Sequence, residues 1–235
     1  MRLNSFIVSK DEIVGDQIVL KEDLSHLKNV LRHRVGDRVR VIDGEKGYIC
    51  NILSIGKKSA LLEIKEKVVN EEDKVKISAA VPPLKSGAMT IVVQKLTEIG
   101  IANFIPILTK RSSVKEFNSS RWSKISREAL KQCGGLRFMD ISKLISFYDI
   151  DFNSYDMKVF AHENEDKKNM KDLINECGKN SPKNIIFFIG PEGGFETKEV
   201  TFLKDKGVVP YSLGNRILRS ETAATLMGGM LKNVN

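Results

Sequence analysis

The chain has 235 residues, enough for one large domain or for a small domain beside a medium one. Its 38 Lys and Arg against 30 Asp and Glu leave a formal charge of +8, a surplus that suits a polyanionic partner. No apolar run approaches the roughly 18 residues of a membrane span, and the first residues lack a signal peptide's apolar core, so a cytoplasmic protein is expected. Cys50, Cys133 and Cys177 are odd in number and far apart, and His26, His33 and His162 are scattered; a disulfide framework is excluded and no metal site is expected.

Residues 1 to about 70 read as β-rich. Gln17 to Leu20 is a short strand. From Asp23 to Arg32 the apolar residues fall at 24, 27, 30 and 31, which is helical spacing with Asp23 as its cap. Arg38 to Gly44 alternates and ends in a hairpin signal, and residues 47–53 and 59–64 supply further strands. Strands this closely spaced predict a small barrel. Arg38 and Arg40 share a strand face opposite Val39 and Val41. With Lys28, Arg32, His33 and Arg34 they form a basic cluster, suited to tracking phosphates and equally to a solvated face.

The polar stretch from Val69 to Lys74 marks a domain boundary, giving domains 1–70 and 74–235. Beyond it strands alternate with helices. Strands are expected at 75–81, 104–108, 157–161, 184–190 and 208–213, and helices at 89–99, 120–133, 168–177, 197–206 and 220–231. Pro106 suggests that 104–108 is an edge strand. The unbroken apolar run at 184–190 suggests a central parallel one. The pattern is that of an α/β sheet with connecting helices.

Two segments carry chemistry. Gly190-Pro191-Glu192-Gly193-Gly194-Phe195 leaves the carboxyl end of the apolar strand, where open α/β sheets bind ligands. It matches neither the dinucleotide fingerprint nor the P-loop. The second segment runs from Leu213 to Ala224. There Ser220 is a plausible N-cap, and Arg216 and Arg219 are placed to grip phosphate or to pair with Glu192 or Glu221. Each segment alone is compatible with a ligand turn or with a structural one. Lys95 and Glu98, three apart on a helix, are by spacing an ordinary surface pair.

Together the two segments resemble the SPOUT class of RNA methyltransferases, and more narrowly the ribosomal RNA small subunit methyltransferase E family. Gly190 to Phe195 meets the pattern G-P-E-G-G-[FW], and Leu213 to Ala223 meets L-G-x-[RN]-I-L-R-x-E-T-A. His26 to Arg32 followed by Gly36-Asp37, Gln94 to Gly100, Arg111-Ser112 and Arg121-Trp122 agree in order, so the resemblance spans nearly the whole chain. It implies an N-terminal PUA-like RNA-binding β-barrel and a C-terminal α/β domain with a trefoil knot. It also implies a homodimer that uses S-adenosylmethionine to methylate N3 of one uridine in small-subunit (16S) ribosomal RNA.

Carried over by position, the cofactor residues are His162, Glu163, Gly190, Pro191, Glu192, Gly193, Gly194, Leu213, Gly214, Ile217 and Leu218. The backbone of Leu213, Ile217 and Leu218 would hold the adenine. Arg219 and Glu98 are the catalytic candidates, with Arg219 orienting the nucleotide or stabilising its negative charge. Arg32, Arg34, Arg38, Arg40 and Arg111 are the RNA-binding candidates. The chain departs from the family pattern at Gly135, where an arginine is usual, at Met139, where proline is, and at Ala88 and Thr90, where acidic residues are common. None of these lies in the cofactor motifs. The rival reading is a non-catalytic RNA-binding protein with a SPOUT-like pocket, which would give no heat on titration with S-adenosylmethionine.

Overall fold

In the first part of the chain, alternation of apolar and polar residues builds a six-stranded sheet. Its strands are β1 (Ser5–Ile7), β2 (Ile13–Val14), β3 (Gln17–Leu20), β4 (Arg38–Ile42), β5 (Gly47–Ile55) and β6 (Ala60–Val68). They pair in the order β1-β4-β5-β6-β3-β2, and only β1–β4 is parallel. The structure is a computed structural model that describes residues 3–69 and 74–233. Most of the expected domain boundary, residues 70–73, lies outside the described residues. The chain divides into two compact units, Met1–Glu72 with Arg127–Phe138, and Asp73–Ser126 with Met139–Asn235.

In the first unit, Val39 and Val41 are fully buried while Arg38 is exposed and Arg40 half-buried, as period-two alternation requires. Two register shifts between β5 and β6 bend that pair. The sheet curls around Phe6, Ile18, Leu20, Cys50 and Leu62. Its pairing path is open: among the described residues nothing joins β1 to β2, so the barrel takes the form of a curled half-barrel. The helical spacing at 23–32 yields a short helix over 24–30 that ends in a turn of π-helix, His26–Val30, and the chain leaves it at Arg32, whose φ is 54°. Asp23, the expected cap, is bonded instead to Lys131 Nζ at 3.2 Å. Leu130 and Leu136 complete this unit's packing against Ile7 and Ile42.

The second unit contains β7 (Lys76–Val81), α1 (Ser86–Ile99), β8 (Asn103–Leu108), the first half of α2 (Ser119–Cys133), β9 (Asp140–Ile141), β10 (Ile145–Ser146), β11 (Met157–Ala161), α3 (Met170–Asn180), β12 (Asn184–Phe188), α4 (Thr197–Asp205), β13 (Val209–Tyr211) and α5 (Ser220–Lys232). All strand pairs are parallel, in the order β10-β8-β7-β12-β11-β13, with β9 also beside β8. β12 is central, as its apolar run predicts. Ile185 and Phe187 enter one core with Val92, Leu96, Met227 and Leu231. Ile186 and Phe188 enter the other with Phe147, Phe160 and Leu203.

Two local expectations are corrected. β8 is not an edge strand. β9 pairs with it at Asn103 and Phe104 and β10 at Ile107 and Leu108, so Pro106 falls in the gap between them, where a missing N–H breaks no ladder. Nor does α3 stop at Gly178. It starts behind Asn169, whose side chain accepts from the N–H groups of Lys171 and Asp172, and it runs on to Asn180. From β13, at one edge of the sheet, the chain returns through residues 213–219 to α5, which packs on α1 and on β7 in the sheet's middle. No local periodicity encodes that return. Among the described residues no helix is long and apolar enough to cross a membrane.

Candidate active site

Three loops leave the carboxyl ends of β11, β12 and β13 on the same side of the sheet, as parallel pairing demands. They enclose a cavity of about 290 Å³. Its lining includes every residue that the sequence set around the cofactor: His162 and Glu163 after β11, Gly190 to Gly194 after β12, and Leu213, Gly214, Ile217 and Leu218 after β13. Arg216, Phe195 and Ser220 join them.

The glycine turn is fixed from several directions. Gly194 N–H donates to the Pro191 carbonyl at 2.8 Å, and Gly194 has a φ of +68°, a conformation that favours glycine. Phe195 anchors the end of the turn among Phe147 and Phe160, with ring centroids at 5.7 and 6.3 Å. Arg111 Nη1 donates to the Gly193 carbonyl at 2.8 Å, so this RNA-binding candidate lies against the glycine turn. Ser220 is not the N-cap of α5. Arg219 holds that position, and Ser220 Oγ, 6% exposed, donates instead to the Gly190 carbonyl at 2.8 Å, tying the start of α5 to the glycine turn.

His162 Nδ1 accepts the Asn164 N–H at 3.3 Å. Glu163 Oε2 is 3.8 Å from Nδ1, too far for a hydrogen bond. Its Oε1 lies 3.2 Å from where a Cβ on Gly194 would stand, so the carboxylate borders the turn.

The loop from Leu213 to Leu218 is a shared wall. On its other side is a larger groove of about 1100 Å³, lined by Arg219, Glu221, Lys95, Ile91 and Leu226 among others. Leu213, Gly214, Arg216 and Leu218 line both spaces. Arg216 and Arg219 are exposed, and neither pairs with Glu192 or Glu221. Glu98 lines neither space; its carboxylate is held by Lys95 at 2.8 Å on the surface of α1.

The remaining RNA-binding candidates belong to the first unit. Arg32, Arg34 and Arg38 are exposed. Arg40 is half-buried, and its Nη2 donates to the Gly134 carbonyl at 2.8 Å, so it braces its own unit. Asp37 caps the same loop by accepting from Arg34 N–H at 2.8 Å and from His33 Nδ1 at 3.1 Å. These bonds, that from Arg34 first, hold its carboxyl below the usual aspartate value. Gly135 has a packing reason for its departure from the family pattern: a Cβ there would stand 2.6 Å from Leu130 Cδ1, and Leu130 is buried.

Two site residues escape motif reading. Ser220 looked like a cap. Glu199 lay outside both motifs, and its signal is the three-residue spacing from Glu196 at a helix start, the spacing of a capping box. Its carboxylate, 2% exposed, accepts from Glu196 N–H and Lys110 N–H, both at 2.8 Å.

Comparison with known proteins agrees with this geometry. The family described as RNA methyltransferase domain matches residues 71–232, and that described as RNA methyltransferase PUA domain matches residues 19–65. Ribosomal RNA small subunit methyltransferase E of Rickettsia conorii is 30% identical over 95% of this chain and 93% of its own length. The protein of the same name from Bacillus subtilis is 30% identical over 86% of this chain and 84% of its own. Among solved structures, a Legionella pneumophila protein in complex with bound cofactor SAM superposes with a TM-score of 0.85 at 26% identity, covering 98% of this chain and 97% of that one. The chain belongs to the ribosomal RNA small subunit methyltransferase E family, with a SPOUT-type α/β domain and a PUA-like domain.

Proposed function

We propose that this protein transfers a methyl group from S-adenosylmethionine to small-subunit ribosomal RNA, at N3 of a uridine. One observation carries the reading: the eleven positions matched to the family's cofactor motifs, from three separate loops, border one cavity. The relatives named for this activity and the SAM-bound Legionella protein support it.

The cavity's chemistry fits the cofactor. Leu213, Ile217 and Leu218 give an apolar wall with free backbone groups for an adenine, the glycines admit close approach, and Glu163 and Glu192 provide negative charge for a sulfonium and an ammonium. S-adenosylmethionine, when bound, supplies an already activated methyl group. The protein's task is then to position the acceptor and manage one proton. Uridine N3 is protonated at neutral pH and becomes nucleophilic as that proton leaves. Arg219, exposed beyond the shared wall, favours the resulting anion and stays charged throughout, so it stabilises rather than accepts a proton. Glu221 takes the proton in this reading, because it lines the same groove as Arg219 and His162 does not.

Arg32, Arg34 and Arg38 supply the exposed basic face for RNA phosphates. A homodimer is supported by the apolar groove between α1 and α5, where Ile91 is 45% exposed and Leu213, Leu218 and Leu226 line the same space. A monomer at micromolar concentration in sedimentation would remove that part.

The decisive experiment incubates the protein and labelled S-adenosylmethionine with small subunits from a strain lacking the gene, then maps the modified nucleotide. The expected product is one N3-methyluridine. Methylation at carbon or ribose would remove the N3 assignment, and no methylation with no cofactor heat would favour the non-catalytic rival.

A further inference from the structure

We propose that Arg111 is a positioning residue for the cofactor cavity, locking the Gly193–Gly194 peptide, and is not an RNA contact. The inference rests on the S-adenosylmethionine reading above. The peptide between Gly193 and Gly194 has no Cβ on either side, so its rotation is among the least hindered in the chain. Both of its polar ends are nevertheless held. The carbonyl accepts from Arg111 Nη1 at 2.8 Å, and the N–H donates to Pro191 O at 2.8 Å. The stem of Arg111 also lies on the turn, with Cδ 3.5 Å from where a Gly193 Cβ would be.

Arg111 is itself presented by a rigid support. Ser112 Oγ accepts Thr109 N–H at 3.1 Å and lies 2.8 Å from Thr109 Oγ1, and both residues are buried. The Glu199 carboxylate then binds two backbone N–H groups. One belongs to Lys110, just before Arg111, and the other to Glu196, just after the glycine turn. A single buried group thus fixes the spacing between the arginine's backbone and the turn it reaches. Glu196 Oε1, 3.9 Å from Arg111 Nε, adds charge on the same side. A ligand entering this cavity meets a turn already in one conformation and bears no ordering cost for it.

An RNA contact and a lock predict different losses. Arg111 is half exposed, and a phosphate contact through it would contribute to RNA affinity and to its salt dependence. A lock would affect only the cofactor.

The test compares wild type, Arg111→Ala and Arg111→Lys by calorimetric titration with S-adenosylmethionine, by RNA binding at several salt concentrations, and by amide hydrogen exchange at Gly194. Arg111→Ala should raise the cofactor Kd and KM about tenfold with kcat unchanged. Gly194 exchange should quicken, and RNA affinity and its salt slope should stay as in wild type. Arg111→Lys, which keeps one donor, should recover most of the affinity. Unchanged cofactor affinity with weaker RNA binding and a salt slope reduced by about one would overturn the proposal, as would unchanged Gly194 exchange. Wild type that fails to bind S-adenosylmethionine would instead overturn the underlying reading, while the exchange rate still reports on the lock.

Discussion

The two loops that bound the cofactor cavity are built on opposite principles. The glycine turn, 190–195, is held by Ser220 at Gly190, by Arg111 at Gly193, by its own Gly194-to-Pro191 bond and by Phe195 in an aromatic core. The facing loop, 213–219, is open. Its hydrogen bonds are short-range ones at Ser212 and Gly214, Ile217 is 88% exposed, and Arg216 and Arg219 extend into solvent. One wall is finished before any ligand arrives, and the other is completed by what binds. In a methyltransferase the finished wall suits the constant cofactor alone, and the open wall, which borders the cofactor cavity on one face, suits on its other face a variable contact with RNA and a second subunit.

Removing the cation from the open wall should have the largest effect. Arg219→Ala is expected to lower kcat about a hundredfold or more, the scale of losing one stabilising donor at a developing anion, with S-adenosylmethionine affinity unchanged. Steady-state kinetics with calorimetry checks this. A loss of cofactor affinity at constant kcat would put Arg219 with the finished wall and erase the contrast.

Distorting the finished wall should come next. In Gly194→Val a branched side chain would be forced to a φ of +68°, with its Cβ 3.2 Å from Glu163 Oε1. Misplacing this turn by about an ångström should cost about a hundredfold in kcat/KM, mostly through cofactor binding. Methylation assays over a range of cofactor concentrations would show it. Activity within a factor of a few would mean that the turn can yield, and that its many ties are not there to hold a shape.

The contrast also explains what was legible in the sequence. The walls themselves were readable, because a glycine turn after an apolar strand and an arginine-bearing turn before a small-residue helix are local patterns. The ties between them were not. Ser220 has the residue type and position of an N-cap, and only the packing of α5 on α1 and β7 turns its hydroxyl toward Gly190. For Arg111 and Arg40 the sequence shows a charge but not the carbonyl it binds, which lies 82 and 94 residues away along the chain. Pro106 was misread for the same reason, since the break between β9 and β10 that accommodates it is a property of the sheet.

A smaller effect tests one of these ties. Ser220→Ala removes a neutral hydrogen bond from a half-buried carbonyl, worth about 1 kcal/mol. If that bond presets the glycine turn, the cofactor Kd should rise about fivefold, matching that energy. A lower Tm with unchanged Kd would make it a tie of the fold only.

The smallest expected effect lies where the open wall begins. Tyr211 ends β13 fully buried, and its hydroxyl donates to Glu176 Oε2 at 2.6 Å, while Lys168 Nζ binds Oε1 at 2.7 Å. These two donors, Lys168 first, hold the Glu176 carboxyl below its ordinary value of 4.5. A carboxylate with a depressed folded-state pKa adds stability above its unfolded value and loses it as pH falls through the folded one. Glu176→Gln should therefore lower Tm by about 1 to 2 °C at pH 7, the pair being a third exposed and so weakened by solvent. The gap to wild type should narrow as pH drops below 4.5, because a protonated glutamate and a glutamine are then alike in charge. Scanning calorimetry from pH 7 down to the acid limit decides it. A gap that does not change with pH would mean that the open loop starts from a shape-fitted contact and not from a charged anchor.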